Sequence, residues 1–73
     1  MTEVKESTVI EQVGDAAGQV WRLLHQGGPQ TLPQLRKKLN GNSELLGFAV
    51  GWLAREDKLE FHKQNRSLLL RLK

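Results

Sequence analysis

The stretch that decides the fold is residues 43–73, SELLGFAVGWLAREDKLEFHKQNRSLLLRLK, where the spacing of apolar residues changes from helical to strand-like. From Ser43 to Glu56 the apolar residues recur at three- and four-residue steps, which predicts a helix with an apolar arc wide enough for a central core helix. This arc contains Leu45, Leu46, Ala49, Val50, Trp52 and Leu53. After Lys58 the period becomes two, with a polar turn at residues 64–67, which predicts a β-hairpin whose inner face closes the core.

An amphipathic segment at the start of the chain predicts the first helix. Thr8 and Glu11 have the spacing of a capping box, so this helix is expected to begin at Thr8, and the glycines at residues 27–28 are expected to end it. Its apolar stripe contains Val9, Val13, Ala16, Ala17, Val20 and Leu24. Because Gly14 weakens the early part, a shorter helix that starts near Asp15 is a second interpretation.

A second, shorter helix is predicted between these two. Gln30 fits a very short strand that precedes the helix, and Thr31 is expected to cap it. The inward side chains are expected to be Leu32, Leu35 and Leu39. Residues 40–41, Asn-Gly, are expected to end the helix through a left-handed cap, and either Asn42 or Ser43 then caps the third helix.

The order of helix, helix, helix and hairpin is that of a winged helix-turn-helix, a mostly helical α+β fold. With 73 residues and no cysteine, the chain is expected to form one domain at residues 8–73, after a flexible N-terminus at residues 1–7. No apolar run approaches the ~20 residues needed to cross a bilayer, and the first residues lack the order of a signal peptide. We therefore expect a cytoplasmic location and no membrane partner.

Catalytic groups are sparse in this sequence. The chain has no cysteine, and its two histidines, His25 and His62, lie on different predicted elements without the spacing of a metal site or a catalytic triad. No glycine-rich loop of the phosphate-binding type is present. The sequence therefore predicts a protein that is not an enzyme, with no cofactor, metal or small-molecule substrate.

Four glycines lie inside predicted helices, as the pairs Gly14 with Gly18 and Gly47 with Gly51. A glycine in a helix interior costs about 1 kcal/mol relative to alanine, so some compensating contact is expected. One interpretation is that the glycines relieve crowding around a tryptophan within the monomer. The other, preferred for the second pair, is the close approach of a second subunit. The residues predicted for a homodimer interface are Gly47, Phe48, Gly51, Trp52 and Leu69.

Basic residues predict contact with nucleic acid. The net charge is +3, and basic residues concentrate toward the C-terminal part of the chain. The residues predicted to contact DNA are Arg36, Lys37, Lys38, Ser43, Arg55, Lys63 and Arg66. Arg55 and Ser43 would lie nearest the bases, and the others would contact phosphates. The outward stripe of the third helix has small side chains and little charge, so specific reading of bases is expected to be weak. The alternative to DNA contact is that the basic residues form only a solvated surface.

Two stretches resemble a known family. Residues 14–21, GDAAGQVW, and residues 51–59, GWLAREDKL, are similar to a family of small stand-alone bacterial winged helix-turn-helix proteins of unknown function. The resemblance covers about residues 10–64 and implies the three-helix winged fold. It also implies that Trp21, Trp52 and the helix glycines are framework positions rather than catalytic ones.

The sequence thus predicts a transcription-regulator-like module that contacts double-stranded DNA mainly at backbone phosphates. The alternative is a protein-interaction or homodimerisation module that uses the same fold without reading DNA sequence. The two functions are compatible, because many proteins of this fold bind DNA as dimers.

Overall fold

The computed structural model describes residues 6–39 and 42–73, with side chains from residue 9 onward, and confirms the winged helix-turn-helix architecture. The elements in chain order are α1 (Glu6–Gly27), β1 (Gln30–Thr31), α2 (Leu32–Lys38), α3 (Ser43–Arg55), β2 (Leu59–Gln64) and β3 (Ser67–Leu72). The predicted short strand at Gln30 is present. It joins the hairpin to form a three-stranded antiparallel sheet in the order β1-β3-β2.

Helix α1 begins earlier than predicted. Its first residue is Glu6, so Thr8 lies inside the helix and does not cap it, and the shorter helix starting near Asp15 is also wrong. No glycine or proline interrupts residues 6–13, so nothing in the sequence stops the helix from extending beyond the predicted cap. Residues 6–7, predicted to be flexible, belong to α1, and residues 1–5 of that predicted segment lie outside the described residues. The predicted end is confirmed, since Gly28 has a φ of 74°.

Side-chain caps define the starts of α2 and α3. The hydroxyl of Thr31 accepts a hydrogen bond from the Gln34 amide, and Oε1 of Gln34 accepts one from the Thr31 amide at 2.9 Å, which completes a capping box. Asn42 caps α3, because its Oδ1 accepts from the Leu45 amide at 3.0 Å. The left-handed cap predicted at residues 40–41 lies outside the described residues.

The predicted hairpin is confirmed, and its register is regular. Strands β2 and β3 pair from Leu59 with Leu72 at one end to Gln64 with Ser67 at the other. Asn65 has a φ of 51°, which suits the tight two-residue turn between the strands. This hairpin is the wing, and its tip is the turn at residues 65–66.

The core forms where α1 packs against α3 and the sheet closes over both helices. Its buried members are Ala16, Ala17, Val20, Leu24, Leu35, Leu46, Ala49, Val50, Leu53, Leu59 and Leu70. Two residues predicted to face inward, Val9 and Trp52, are exposed instead. Val9 lies before the buried part of α1, which begins at Val13 among the described side chains. Trp52 lies at the edge of the apolar arc of α3. None of the described helices is long and apolar enough to cross a bilayer.

Candidate functional site

Two surfaces border α3. The first, the α2–α3 cleft, is lined by Leu32, Pro33, Arg36, Ser43, Leu46 and Gly47. The second, the α1–α3 groove, is lined by Val9, Ile10, Val13, Phe48, Gly51, Trp52 and Arg55. Because successive helix residues are 100° apart, Gly47 of the cleft and Gly51 of the groove lie only about 40° apart around α3, so the two surfaces adjoin on its outward side.

The sheet brings the wing tip to the same end of the molecule as the cleft. Thr31 pairs with Leu69, and Leu69 pairs with His62, so these three residues form one row across the sheet. The next row toward the wing tip contains Lys63, and α2 begins directly after Thr31. The starts of α2 and α3 meet in the cleft, and the wing extends beyond the Thr31 row toward its tip on the same side of the sheet as the beginning of α2. We call Arg36 of the cleft, its neighbour in sequence Lys37, and Lys63 and Arg66 of the wing the basic end.

Acidic partners distinguish the basic end from the other cations of the wing. Arg71 donates from Nε to Glu60 Oε1 at 2.8 Å, and Lys73 forms an ion pair with Asp57. Within residues 9–39 and 42–73, no carboxylate lies within ion-pair distance of any residue of the basic end. These four cations are therefore available to an anionic partner, whereas Arg71 and Lys73 are already neutralised by neighbours.

The pKa of Glu60 is lowered by its two cationic neighbours. His62 Nε2 lies 3.5 Å from Oε1 of Glu60, and the Arg71 guanidinium donates to the same oxygen. The hydrogen bond from His62, followed by the positive charge of Arg71, holds the pKa of this carboxyl below its ordinary value. Glu60 is therefore ionised at neutral pH, and it keeps Arg71 paired.

Two of the predicted DNA contacts lie away from the basic end. Lys38 donates to Oε1 of Gln30 at 2.6 Å and borders a pocket that includes Gln19 and Arg22 of α1. Arg55 lies in the α1–α3 groove, and twelve helical steps of about 1.5 Å place it about 18 Å from Ser43 along the helix axis. The triplet at residues 36–38 is split because three consecutive helix residues cannot share one face.

The predicted interface residues are also divided between surfaces. Gly47 lines the α2–α3 cleft, whereas Phe48, Gly51 and Trp52 line the α1–α3 groove. Leu69 is half-buried in the central strand, between its partners in β1 and β2. The groove also contains Val9 and Ile10 of α1, which were not predicted there. The sequence could have indicated that Ile10 lies on an exposed surface, since it is a large apolar residue outside the predicted core stripe of its helix.

All four helix glycines face open space in the monomer. A Cβ atom built on Gly14, Gly18, Gly47 or Gly51 meets no heavy atom within 4 Å, apart from the nearby backbone of its own helix. The interpretation that they relieve crowding within the monomer is therefore wrong. The alternative, the close approach of a second subunit, stays a prediction.

Comparisons with known proteins agree with this architecture. The model of the family described as Winged helix-turn-helix domain (DUF2582) matches residues 5–72. An uncharacterized protein of Methanocaldococcus jannaschii, MJ1608, is 38% identical over 65 residues, which cover 85% of this chain and 91% of that protein. No solved structure matches the chain significantly. Since that relative is archaeal, similar chains occur outside bacteria.

Proposed function

Because the chain belongs to the DUF2582 family of winged helix-turn-helix domains, we propose that it binds double-stranded DNA mainly through backbone phosphates, as a transcription-regulator-like module. The observation that carries this proposal is the basic end. Its cations belong to α2 and to the wing, Arg36 lines the cleft with Ser43, and none of the four has a carboxylate partner among the described residues. Unpaired Lys and Arg side chains that flank a helix bind phosphates and release the counterions condensed on DNA.

The outer face of α3 favours phosphate contact over base reading. Near the basic end it presents Ser43 and Gly47, which offer one hydroxyl group and no side chain, and an exposed Glu44 that repels phosphate. Arg55, the one long cation of this helix, lies in the α1–α3 groove. Discrimination between bases usually needs Arg, Asn or Gln side chains on the groove-facing helix. We therefore expect similar affinities for duplexes of different sequence.

The test is the salt dependence of binding to a labelled duplex, followed by fluorescence anisotropy. Each phosphate contact contributes about 0.9 to the slope of log K against log salt concentration. We expect Arg36→Gln and Lys63→Gln each to reduce the magnitude of this slope by up to about 0.9, the contribution of one phosphate contact. Arg71→Gln is the matched control, because it changes the net charge equally but removes a cation already paired with Glu60.

Two results would overturn this proposal. One is the absence of binding to any duplex at low salt. The other is an equal loss of slope in Arg71→Gln and in the two variants of the basic end, which would indicate a general charge effect rather than a defined contact surface.

We propose homodimerisation as a second function, compatible with the first. It is supported by the open glycines and by the exposed apolar side chains of the α1–α3 groove. A two-fold dimer would carry two basic ends and could contact two segments of a duplex. Sedimentation velocity over a series of protein concentrations tests this function, and a monomer mass throughout the series would overturn it.

We also propose that the module has no catalytic activity and acts in the cytoplasm. Each histidine contacts a neighbouring side chain: His25 stacks on Trp21 with the ring centroids 4.8 Å apart, and His62 lies beside Glu60. No cluster of three or more metal-ligating side chains occurs in the described part of the chain. The cytoplasmic location follows from the proposed DNA contact, which requires the compartment that holds the DNA.

A further inference from the structure

We propose that a second copy of this chain covers one particular surface, the apolar face made by α1 and α3, in a two-fold dimer. This inference rests on the homodimer function proposed above and assigns its interface. The apolar face consists of Val9, Ile10 and Trp21 on α1 with Phe48 and Trp52 on α3. It differs from the interface expected from the sequence, because it includes α1 and excludes Gly47 and Leu69.

Exposed apolar side chains concentrate on this face. Of the seven large hydrophobic residues that are exposed in the described part of the chain, five belong to it. Ile10 is 55% exposed and Phe48 is 54% exposed. The remaining two, Phe61 and Leu68, lie on the wing. Since single exposed apolar residues are common but a contiguous cluster usually marks an interaction site, the clustering indicates an interface.

The apolar area of the face suits a dimer. With roughly 150–250 Å² of surface per residue and about half of it exposed, the five residues present on the order of 400 Å². A standard interface buries about 800 Å² per partner, of which roughly 57%, or about 450 Å², is apolar. The face therefore supplies about the apolar area that one side of a stable dimer needs.

Glycines border the face on both helices. Gly14 and Gly18 line a pocket next to Trp21 and Trp52, and Gly51 lines the α1–α3 groove. Nothing in the monomer occupies the space of their missing side chains. The helices of a second copy can therefore approach these backbones closely, and the contacts formed there would offset the cost of glycine in a helix interior.

Charge complementarity favours a second copy over an unrelated partner. Arg55 lies in the groove on α3, and Glu11 and Asp15 are exposed on α1, each three residues before one of its glycines. None of these three residues forms an ion pair with a described residue. In a two-fold dimer each surface meets its own copy, so the Arg55 of each chain can approach the partner's Glu11 or the partner's Asp15.

The proposed interface and the basic end have no residue in common. The α1–α3 groove and the α2–α3 cleft share none of their lining residues. Arg36, Lys63 and Arg66 are not part of the apolar face. The two proposed functions can be measured independently on the same variants.

The first experiment is sedimentation velocity on the full chain and on two variants of the face, Ile10→Glu and Phe48→Glu. Because a charge at the centre of an apolar interface must be desolvated, each change should raise the dimer dissociation constant at least about tenfold. Phe61→Glu is the matched control, since Phe61 is 42% exposed but lies on the wing, and it should leave association unchanged. Circular dichroism establishes that each variant is folded.

A charge reversal tests the two-fold arrangement without altering the apolar residues. Arg55→Glu should weaken the dimer, because it places like charges opposite each other. Adding Glu11→Arg and Asp15→Arg to that variant should restore association. Neither step touches the core, since all three side chains are exposed.

The outcomes separate this inference from the functions on which it rests. A chain that stays monomeric at every concentration overturns both the interface and the homodimer function. A dimer that persists in Ile10→Glu and Phe48→Glu overturns the interface alone. Loss of association in these variants, with unchanged affinity per chain for duplex DNA at low salt, supports the interface and keeps DNA binding as a separate property.

Discussion

At the scale of single residues, Asn42 shows how backbone geometry decides between two chemically suitable caps. Both Asn42 and Ser43 are residue types that cap helices well, and the sequence pattern allowed either. In the structure Ser43 has already entered α3, whereas Asn42 precedes it and directs its side chain to the Leu45 amide. The choice depends on where the chain turns into the helix, and residue type alone does not specify that point.

We expect Asn42→Ala to lower the free energy of unfolding by about 1 kcal/mol, because the Leu45 amide loses its acceptor at the helix end. Ser43→Ala, one residue further on, should cost less, since it removes no capping contact. Urea denaturation of the two variants measures the difference. A larger cost for Ser43→Ala would show that Ser43 is the cap in solution.

At the scale of elements, α1 shows what apolar periodicity predicts well and what it leaves open. The stripe from Val13 to Leu24 was predicted, and it is buried. The start of the helix was not predicted correctly, because residues 6–13 contain no residue that ends a helix. Periodicity also could not show that Val9 lies beyond the core, since it identifies a face of the helix but not what covers that face.

We expect Gly18→Ala to raise the free energy of unfolding by about 1 kcal/mol at concentrations where the chain is monomeric, because its Cβ meets open space and alanine favours the helix. Gly28→Ala is the contrasting variant and should destabilise the protein, because Gly28 has a φ of 74°. Thermal or urea unfolding of both variants measures the effects. Destabilisation by Gly18→Ala would indicate a close contact at this position.

At the scale of the whole molecule, the sheet decides which apolar residues of the wing are buried. Leu68 and Leu70 lie on the same face of β3, yet Leu70 is fully buried and Leu68 is 38% exposed. Leu70 pairs with Gln30 on one side and Phe61 on the other, under the helices. Leu68 lies two rows nearer the wing tip, where no third strand follows in the described sheet.

Leu70→Ala should lower the free energy of unfolding by about 2–5 kcal/mol, because it leaves a cavity among α1, α2 and the sheet. Leu68→Ala removes the same atoms from an exposed position and should have a much smaller effect. Chemical denaturation of both variants tests the comparison. Similar losses would mean that the wing tip is covered in solution, for example by a second copy.

The sequence was sufficient for properties that depend on neighbours along the chain. The order of elements, the Thr31 cap, the hairpin turn and the inward stripes except Val9 and Trp52 follow from local hydrogen bonding and from the periods of helix and strand. The grouping of Arg36, Lys63 and Arg66 at one end, the displacement of Arg55 and Lys38, and the joining of Ile10 to Phe48 required the folded chain. These depend on contacts between residues distant in sequence, which are set by how the helices and sheet pack, and apolar spacing alone carries no information about which face meets which.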